Sequence, residues 1–207
     1  MQQTTTDAHT AAAATDASPP LVAELDDYRR QVEAVKADVA DLLKGLTDVQ
    51  FNWRSAPGRW SIGECLAHLN LTGQVYLRVI DRGIEQGRTG KLMSAGPYRH
   101  GWFGKFFLRK SEPPVKTIKI KAPKIIVPVA EHLIAVVAPA FMSLQEQLLR
   151  RLREANGLDL GRIKITSPFI KFIRFDLGHS IAITIAHERR HLWQAREVRN
   201  DPNFPTT

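Results

Sequence analysis

Two histidines four residues apart, with a glutamate directly after the first, stand near the end of the chain in "ITIAHERRHLWQ", 183–194. The spacing matches the H-E-x-x-H pattern of zinc proteases. On a helix, His187 and His191 would lie one turn apart and about 40° around the axis, so that both imidazoles can bind one divalent ion. The alternative is an exposed pair without a function. Both rings lie at the edge of the apolar stripe, where unpaired imidazoles are costly, and this favours a metal site.

A third candidate ligand follows a helix start that the sequence marks clearly. In "RWSIGECLAHL", Ser61 is the predicted N-cap, and Glu64 three residues later completes a capping box. His68 lies about two turns into this helix, on or beside its packed face. Alone, it would be a hydrogen-bonded core histidine. In a helix bundle, metal sites are built from facing helices, so His68, His187 and His191 would give three nitrogen ligands and an open, catalytic type of metal centre.

The zinc-protease interpretation lacks its other parts. A zincin needs a third ligand well downstream of its motif, or a longer motif that ends in another histidine. After His191 the chain continues with "LWQAREVRNDPNFPTT", which contains neither glycine nor histidine. No strand-rich segment precedes the motif to hold a peptide. We therefore expect that the protein is not a zincin, despite the sequence HERRH.

Two polar residues on the same helix are candidates for catalysis. Glu188 lies about 100° from His187 around the axis and beside two arginines, so that a general base and a surface salt bridge are both open interpretations. Gln194, three residues after the second histidine of the pair, is predicted to face inward, where it can orient a ligand or a bound water.

The single cysteine and the other four histidines are not predicted to bind metal. Cys65 is interpreted as a small core residue. His9 lies in a polar, alanine-rich leader and is expected to be inert. His100, His132 and His179 show no partner pattern. His179, near the start of the last predicted helix, can face the far end of the bundle, but we expect a surface or capping position.

The elements that position these residues are predicted from the spacing of apolar side chains. Alternating steps of four and three keep apolar residues on one stripe, as in an amphipathic helix. Four segments show the pattern. We predict helices over about 21–46, from Ile62 to a fading region at 83–87, from before or at Pro139 to an Asn156-Gly157 terminator, and over about 177–198.

A long connection, about 88–129, separates the second and third predicted helices and is rich in glycine, proline and lysine. Its alternating "VKTIKI" is compatible with a short strand between prolines. A connection of this length lets the flanking helices lie parallel. We therefore predict an all-α fold, a four-helix bundle with a long crossover between helices 2 and 3. The predicted divisions are a disordered leader (1–20), a single domain (21–200) and a tail (201–207).

The positive charge of the chain is concentrated in this crossover. The formal net charge is +8, and much of the excess lies between Arg99 and Lys124. A basic stretch with aromatic residues can bind nucleic acid or an anionic membrane, but no nucleic-acid motif accompanies it. We interpret it as a solvated loop above packed aromatic side chains. The aromatic residues expected beneath it are Trp102, Phe103, Phe106 and Phe107.

Composition also bears on the compartment. A single cysteine excludes an intrachain disulfide and fits a reducing environment. The leader lacks the basic start and apolar region of a signal peptide, and no apolar run is long enough to span a bilayer. We therefore expect a cytoplasmic protein without membrane association.

The two histidine motifs together resemble those of the DinB/YfiT-like family of four-helix metalloproteins. "RWSIGECLAHL" is similar to the family's tryptophan-serine helix start leading to His-Leu, and "AHERRHLWQ" to its H-x-x-x-H-x-x-Q motif on the last helix. The resemblance covers essentially the whole chain after the leader. It implies that His68, His187 and His191 are the three metal ligands.

The resemblance also implies a function. Family members typically bind divalent nickel, zinc or iron, and they include S-transferases and isomerases that use low-molecular-weight thiols, often as homodimers. We therefore expect a metal-dependent thiol S-transferase acting on a small electrophilic substrate, in which the metal deprotonates the thiol and Gln194 tunes the metal. Two alternatives remain: a non-catalytic, stress-related metal-binding bundle, and nucleic-acid binding through the basic crossover.

Overall fold

The computed structural model describes residues 19–94, 96–114, 123–169 and 172–206. The predicted leader, including His9, lies outside these residues except for Pro19 and Pro20. A 3-10 turn at Lys124–Ile126 follows the fourth helix. The helices and strands are α1 (Ala23–Leu43), α2 (Asp48–Asn52), α3 (Ile62–Thr89), α4 (Trp102–Ser111), α5 (Ile134–Glu154), β1 (Lys164–Thr166), β2 (Arg174–Asp176) and α6 (Leu177–Arg199).

The second and third of the four long helices, α3 and α5, run parallel. Asn70 of α3 donates a hydrogen bond of 3.0 Å to the Val137 carbonyl near the start of α5. Further along both helices, the Arg151 guanidinium pairs with the Asp81 carboxylate at 2.8 Å. The contacts advance in the same direction, so the connection between the helices crosses the length of the bundle. The predicted all-α four-helix bundle with a crossover between helices 2 and 3 is confirmed.

The last long helix, α6, packs against α3 in the opposite direction. His68, in the first part of α3, contacts His187, whereas Gly83 near the other end lies beside Leu177 at the start of α6. α1 packs against α5 and α6 and completes the bundle. Its core includes fully buried side chains from all four helices, among them Leu25, Leu66, Phe141 and Ile181.

The start of α3 is the one that the sequence predicts. The Ser61 hydroxyl accepts the backbone N–H of Glu64 at 3.1 Å, and the Glu64 carboxylate accepts the N–H of Ser61 at 2.9 Å. A capping box satisfies two backbone donors that a helix end leaves free. The Arg54 guanidinium also pairs with Glu64, at 2.7 Å. These bonds fix the direction of the helix that carries His68.

The predicted fading of α3 at 83–87 is wrong, because the helix continues to Thr89. Gly83 and Gly87 face the hairpin of β1 and β2. A Cβ atom at Gly87 would lie 2.5 Å from Cδ1 of Ile163, and one at Gly83 would lie 2.7 Å from Cδ1 of Ile165. The glycines therefore allow a close approach of the hairpin and do not end the helix.

The crossover differs from the predicted loop, since it contains α4 and the 3-10 turn. Phe106, expected beneath the lysines, is 51% exposed, and the Lys110 ammonium lies 5.9 Å from the centre of its ring. A cation over a ring face stabilises an aromatic side chain that is not packed in the core. The segment "VKTIKI" and the side chains of Trp102, Phe103 and Phe107 lie outside the described part of the chain.

Three further local features refine the prediction. α5 begins at Ile134, before Pro139. The short helix α2, absent from the prediction, has its own capping box between Thr47 and Gln50. β1 and β2 form an antiparallel pair whose strands have three residues each, too short to show a period of two in the sequence. Among the described residues, no helix combines the length and apolar character needed to cross a bilayer.

Candidate metal centre

Three imidazoles from α3 and α6 meet between the two helices. The potential ligand atoms of His68, His187 and His191 all lie within 4.8 Å of one another. The Nε2 atoms of His68 and His187 are 3.1 Å apart. Two nitrogens that bind one tetrahedral zinc ion at about 2.0–2.1 Å are separated by about 3.3 Å. The spacing is therefore close to that of ligands to a shared ion.

Burial keeps these imidazoles neutral. His68 is 2% exposed and His191 is 8% exposed, and His187 is partly buried. Burial lowers the pKa of His68, and together with the neighbouring rings it lowers the pKa of His187 to about 3 and that of His191 to about 2. A neutral imidazole is the form that binds a metal. At neutral pH the three rings are therefore in the ligand form.

A backbone carbonyl fixes the tautomer of His68. Its Nδ1 lies 2.7 Å from the carbonyl oxygen of Ile126 in the 3-10 turn of the crossover. A carbonyl oxygen only accepts, so Nδ1 carries the hydrogen and donates it. The lone pair of the neutral ring is then on Nε2, the atom that faces His187. Metal-binding histidines usually have this second partner, which orients the ring.

His191 has a buried nitrogen without a partner. Its Nδ1 makes no hydrogen bond within the described part of the chain. The Trp60 ring stacks on His191 with ring centres 5.6 Å apart, and it lies 4.8 Å from the ring of His68. The Gln194 side chain opposes the effect of burial on the pKa of His191. An unpaired polar atom inside an apolar wall is unfavourable, and a metal ion would satisfy it. The residues present therefore fit a divalent ion.

Glu188 is buried, and its interpretation as a surface salt bridge is wrong. The side chain is 4% exposed, and its Oε1 accepts a hydrogen bond of 2.8 Å from Nε2 of Gln145 on α5. Burial raises its pKa to about 7. The arginine that follows it, Arg189, instead pairs with Glu112, because adjacent residues on a helix point in different directions.

Cys65 is a core residue, as predicted. It is fully buried, and burial raises the pKa of its thiol. Among the described residues, the group that could hold a metal consists of the three histidines and does not include this thiol.

A second group of polar residues, missed in the sequence, lies at the start of α6. His100 bonds the Tyr28 hydroxyl through Nε2 at 3.0 Å and the Tyr98 hydroxyl through Nδ1 at 2.9 Å. Tyr98 also donates to Asp176, whose carboxylate accepts the backbone N–H of His179. His179 is 1% exposed, so its predicted surface position is wrong. We call these five residues the tyrosine–histidine cluster.

The fold and the site together define a class of protein: an all-α bundle in which three histidines from two helices form a group compatible with metal binding. The model of the DinB superfamily matches residues 31–195. The chain belongs to the DinB superfamily, as its two motifs indicate. No curated protein and no solved structure matches the chain. The family match includes all three histidines.

Proposed function

We propose that the protein binds a divalent metal through His68, His187 and His191 and that it is a metal-dependent thiol S-transferase. The observation that carries this proposal is the convergence of three imidazoles, those of His68 and His191 buried and that of His187 partly buried, with ligand atoms within 4.8 Å of one another. Imidazole nitrogens suit zinc, nickel and iron. Three protein ligands leave coordination positions for a small molecule, as in catalytic metal sites.

The residues around the histidines support this chemistry. When bound, a divalent ion with neutral ligands would supply the positive charge that favours the thiolate form of a small thiol. Trp60 covers the rings of His68 and His191 and limits the access of water from that side. We propose that Gln194, whose side chain raises the pKa of His191, orients that ring. The catalytic assignment of Glu188 stays a prediction, and its known partner is Gln145 on α5.

We also propose that the protein acts in the cytoplasm as a homodimer. Support for a second copy comes from apolar side chains exposed around the start of α5, since exposed apolar patches often mark interfaces. Val129 is 73% exposed, Leu133 is 57% exposed and Val136 is 63% exposed. The molar mass in solution, measured by light scattering for the wild type and for Val136→Glu, tests this proposal. A monomeric wild type contradicts it.

The metal assignment is tested by elemental analysis of protein purified without a histidine tag. We expect about one equivalent of metal in the wild type and a loss of nearly all of it in His187→Ala. His132→Ala is a matched control, because it also removes an imidazole but lies outside the three-histidine group. A metal content that is low in the wild type, or equal in the two variants, contradicts the proposed centre.

The transferase assignment needs a second measurement. In cobalt-substituted protein, the visible absorption reports the ligands of the metal. We expect small thiols to change this spectrum and to be consumed when a reactive electrophile is added. A spectrum that no thiol alters would favour the alternative, a metal-binding bundle without chemistry.

A further inference from the structure

α6 carries four arginines, and three of them have clear partners. Arg189 forms a two-pronged ion pair with Glu112 and also donates to the Gln31 side chain. Arg196 pairs with Asp38 and Asp41. Arg199 binds backbone carbonyls at the end of α1, those of Asp41, Leu42 and Lys44.

Arg190 is the exception. Within residues 19–94, 96–114, 123–169 and 172–206, no carboxylate or carbonyl oxygen is hydrogen-bonded to its guanidinium, and no salt bridge includes it. The internal positions left out of the description, 95, 115–122 and 170–171, contain no acidic residue. Arg190 is nevertheless partly buried. A partly buried cation without a counter-charge loses hydration and gains nothing in return.

The position of Arg190 connects it to the three histidines. It lies between them in the sequence, about 60° from His187 and about 40° from Gln194 around the helix axis. It directly precedes His191 on α6 and belongs to the same turn as both histidines. Arg190 is therefore a cation at the edge of the candidate metal centre, on the side of α6 where Gln194 also lies.

We propose that Arg190 binds the carboxylate of the thiol that reaches the three-histidine centre, so that this thiol is a small carboxylic acid. The inference rests on the proposed function and adds the chemical class of the thiol to it. A guanidinium offers two parallel N–H donors that match the two oxygens of a carboxylate. One end of the ligand would then be held by Arg190 while its sulfur is directed towards the histidines.

The test compares acids with their uncharged amides. Thioglycolate, 3-mercaptopropionate and 4-mercaptobutyrate, each paired with its amide, are titrated into cobalt-loaded wild-type protein, and dissociation constants are read from the visible absorption. We expect at least one acid to bind about tenfold more tightly than its amide. We expect this preference to shrink as salt is added, because the pair is only partly buried.

Two variants connect the preference to Arg190. In Arg190→Gln, the acid and its amide should bind with equal affinity, while the cobalt content and the helical circular dichroism stay unchanged. Arg190→Lys keeps the charge without the two-pronged geometry and should retain part of the preference. Arg189→Gln is the neighbouring control, because Arg189 already pairs with Glu112, and it should keep the full preference.

The outcomes separate this inference from the proposed function. If neither acids nor amides change the cobalt spectrum, thiol binding itself is contradicted. If both bind equally to the wild type, or if the preference for the acid persists in Arg190→Gln, only the assignment of Arg190 is overturned.

Discussion

Two groups of histidines lie along α6, and their surroundings differ. His179 and His187 are eight residues apart, which corresponds to about 12 Å along the helix. Around His179, the tyrosine–histidine cluster joins α1, the crossover and the start of α6 through hydroxyl groups and one carboxylate. Around His187, imidazole rings face one another without a carboxylate among them.

The carboxylate sets the direction of every bond in the tyrosine–histidine cluster. Asp176 only accepts, so the Tyr98 hydroxyl donates to it and takes the hydrogen of His100 Nδ1. The other nitrogen of His100 then has a lone pair, and the Tyr28 hydroxyl donates to it. Both nitrogens of His100 have a hydrogen-bond partner, and neither is free to bind a metal.

The three-histidine centre has the opposite arrangement. The hydrogen of His68 is directed outward to the Ile126 carbonyl, which leaves a lone pair facing inward. Nε2 of His187 lies opposite that lone pair, and Nδ1 of His191 has no partner in the described residues. Without metal, the neutral ring of His187 can donate an Nε2 hydrogen to that lone pair, and with metal the two Nε2 atoms can share the ion. The neighbours of His100 thus occupy both of its ring nitrogens, whereas those of His68 leave Nε2 available for an ion.

The largest expected difference between the two groups is their response to metal. Zinc at about a hundred times its dissociation constant should stabilise the wild type by about 2.7 kcal/mol. For a chain of this size, that is a rise in Tm of about 5–10 °C. His68→Ala should abolish the rise, whereas Tyr98→Phe should keep it. Thermal unfolding followed by circular dichroism measures both, and an equal rise in all three proteins contradicts the distinction.

In metal-free protein, substitutions in the tyrosine–histidine cluster should reduce stability more than substitutions in the three-histidine centre. Tyr98→Phe removes the donor to Asp176 and leaves a partly buried carboxylate and His100 each short of one partner. Hydrogen bonds to charged groups contribute about 1.5–3 kcal/mol, and we expect a loss of that size in the free energy of unfolding. Urea denaturation of metal-free protein measures it. The comparison fails if His187→Ala costs more than Tyr98→Phe under these conditions.

The centre should make the metal-free protein sensitive to acid. The pKa of His191 falls from 6.5 when unfolded to about 2 when folded, so protons bind the unfolded chain more tightly. The stabilisation is complete above pH 6.5 and is lost as the pH falls towards the folded value, by up to about 1.4 kcal/mol per pH unit. His191→Phe should make the decline between pH 6 and pH 4 shallower. Urea denaturation at several pH values measures the slope, and an unchanged slope contradicts this account.

Gln194 should have the smallest effect. Residues that orient a metal ligand usually change metal affinity by about tenfold to a hundredfold. Gln194→Ala should therefore weaken zinc binding at the low end of that range and leave one equivalent bound at saturation. Competition with a chromophoric chelator measures the affinity. Glu197→Ala, on the same helix but without a described bond to the histidines, is the control.

The parts of the molecule that the sequence predicts well are those with local signals. The capping box at Ser61 and Glu64 fixes the start of α3, and the spacing of His187 and His191 needs only one helix. The meeting of these histidines with His68 follows from the resemblance to the family and the bundle fold that it implies. The local pattern and the family motif both predict this meeting, and the three imidazoles lie together as expected.

Three of the failures involve partners that are distant in the sequence. Glycine normally weakens a helix, but Gly83 remains helical because Ile165, far along the chain, packs against it. Glu188 is buried because Gln145 on another helix binds it. The tyrosine–histidine cluster brings His100 to the start of α6 from the crossover. The spacing of residues along one segment does not predict contacts between segments that are far apart in the sequence.

The partner of His68 is a main-chain oxygen. This contact is therefore less sensitive to substitution than a contact with a side chain. Any amino acid at position 126 carries the same carbonyl, so substitutions there leave the acceptor in place as long as the turn keeps its shape. Comparing residue types among homologues would therefore never reveal this contact. The amino acids of the crossover can therefore change while one main-chain oxygen still orients the His68 ring.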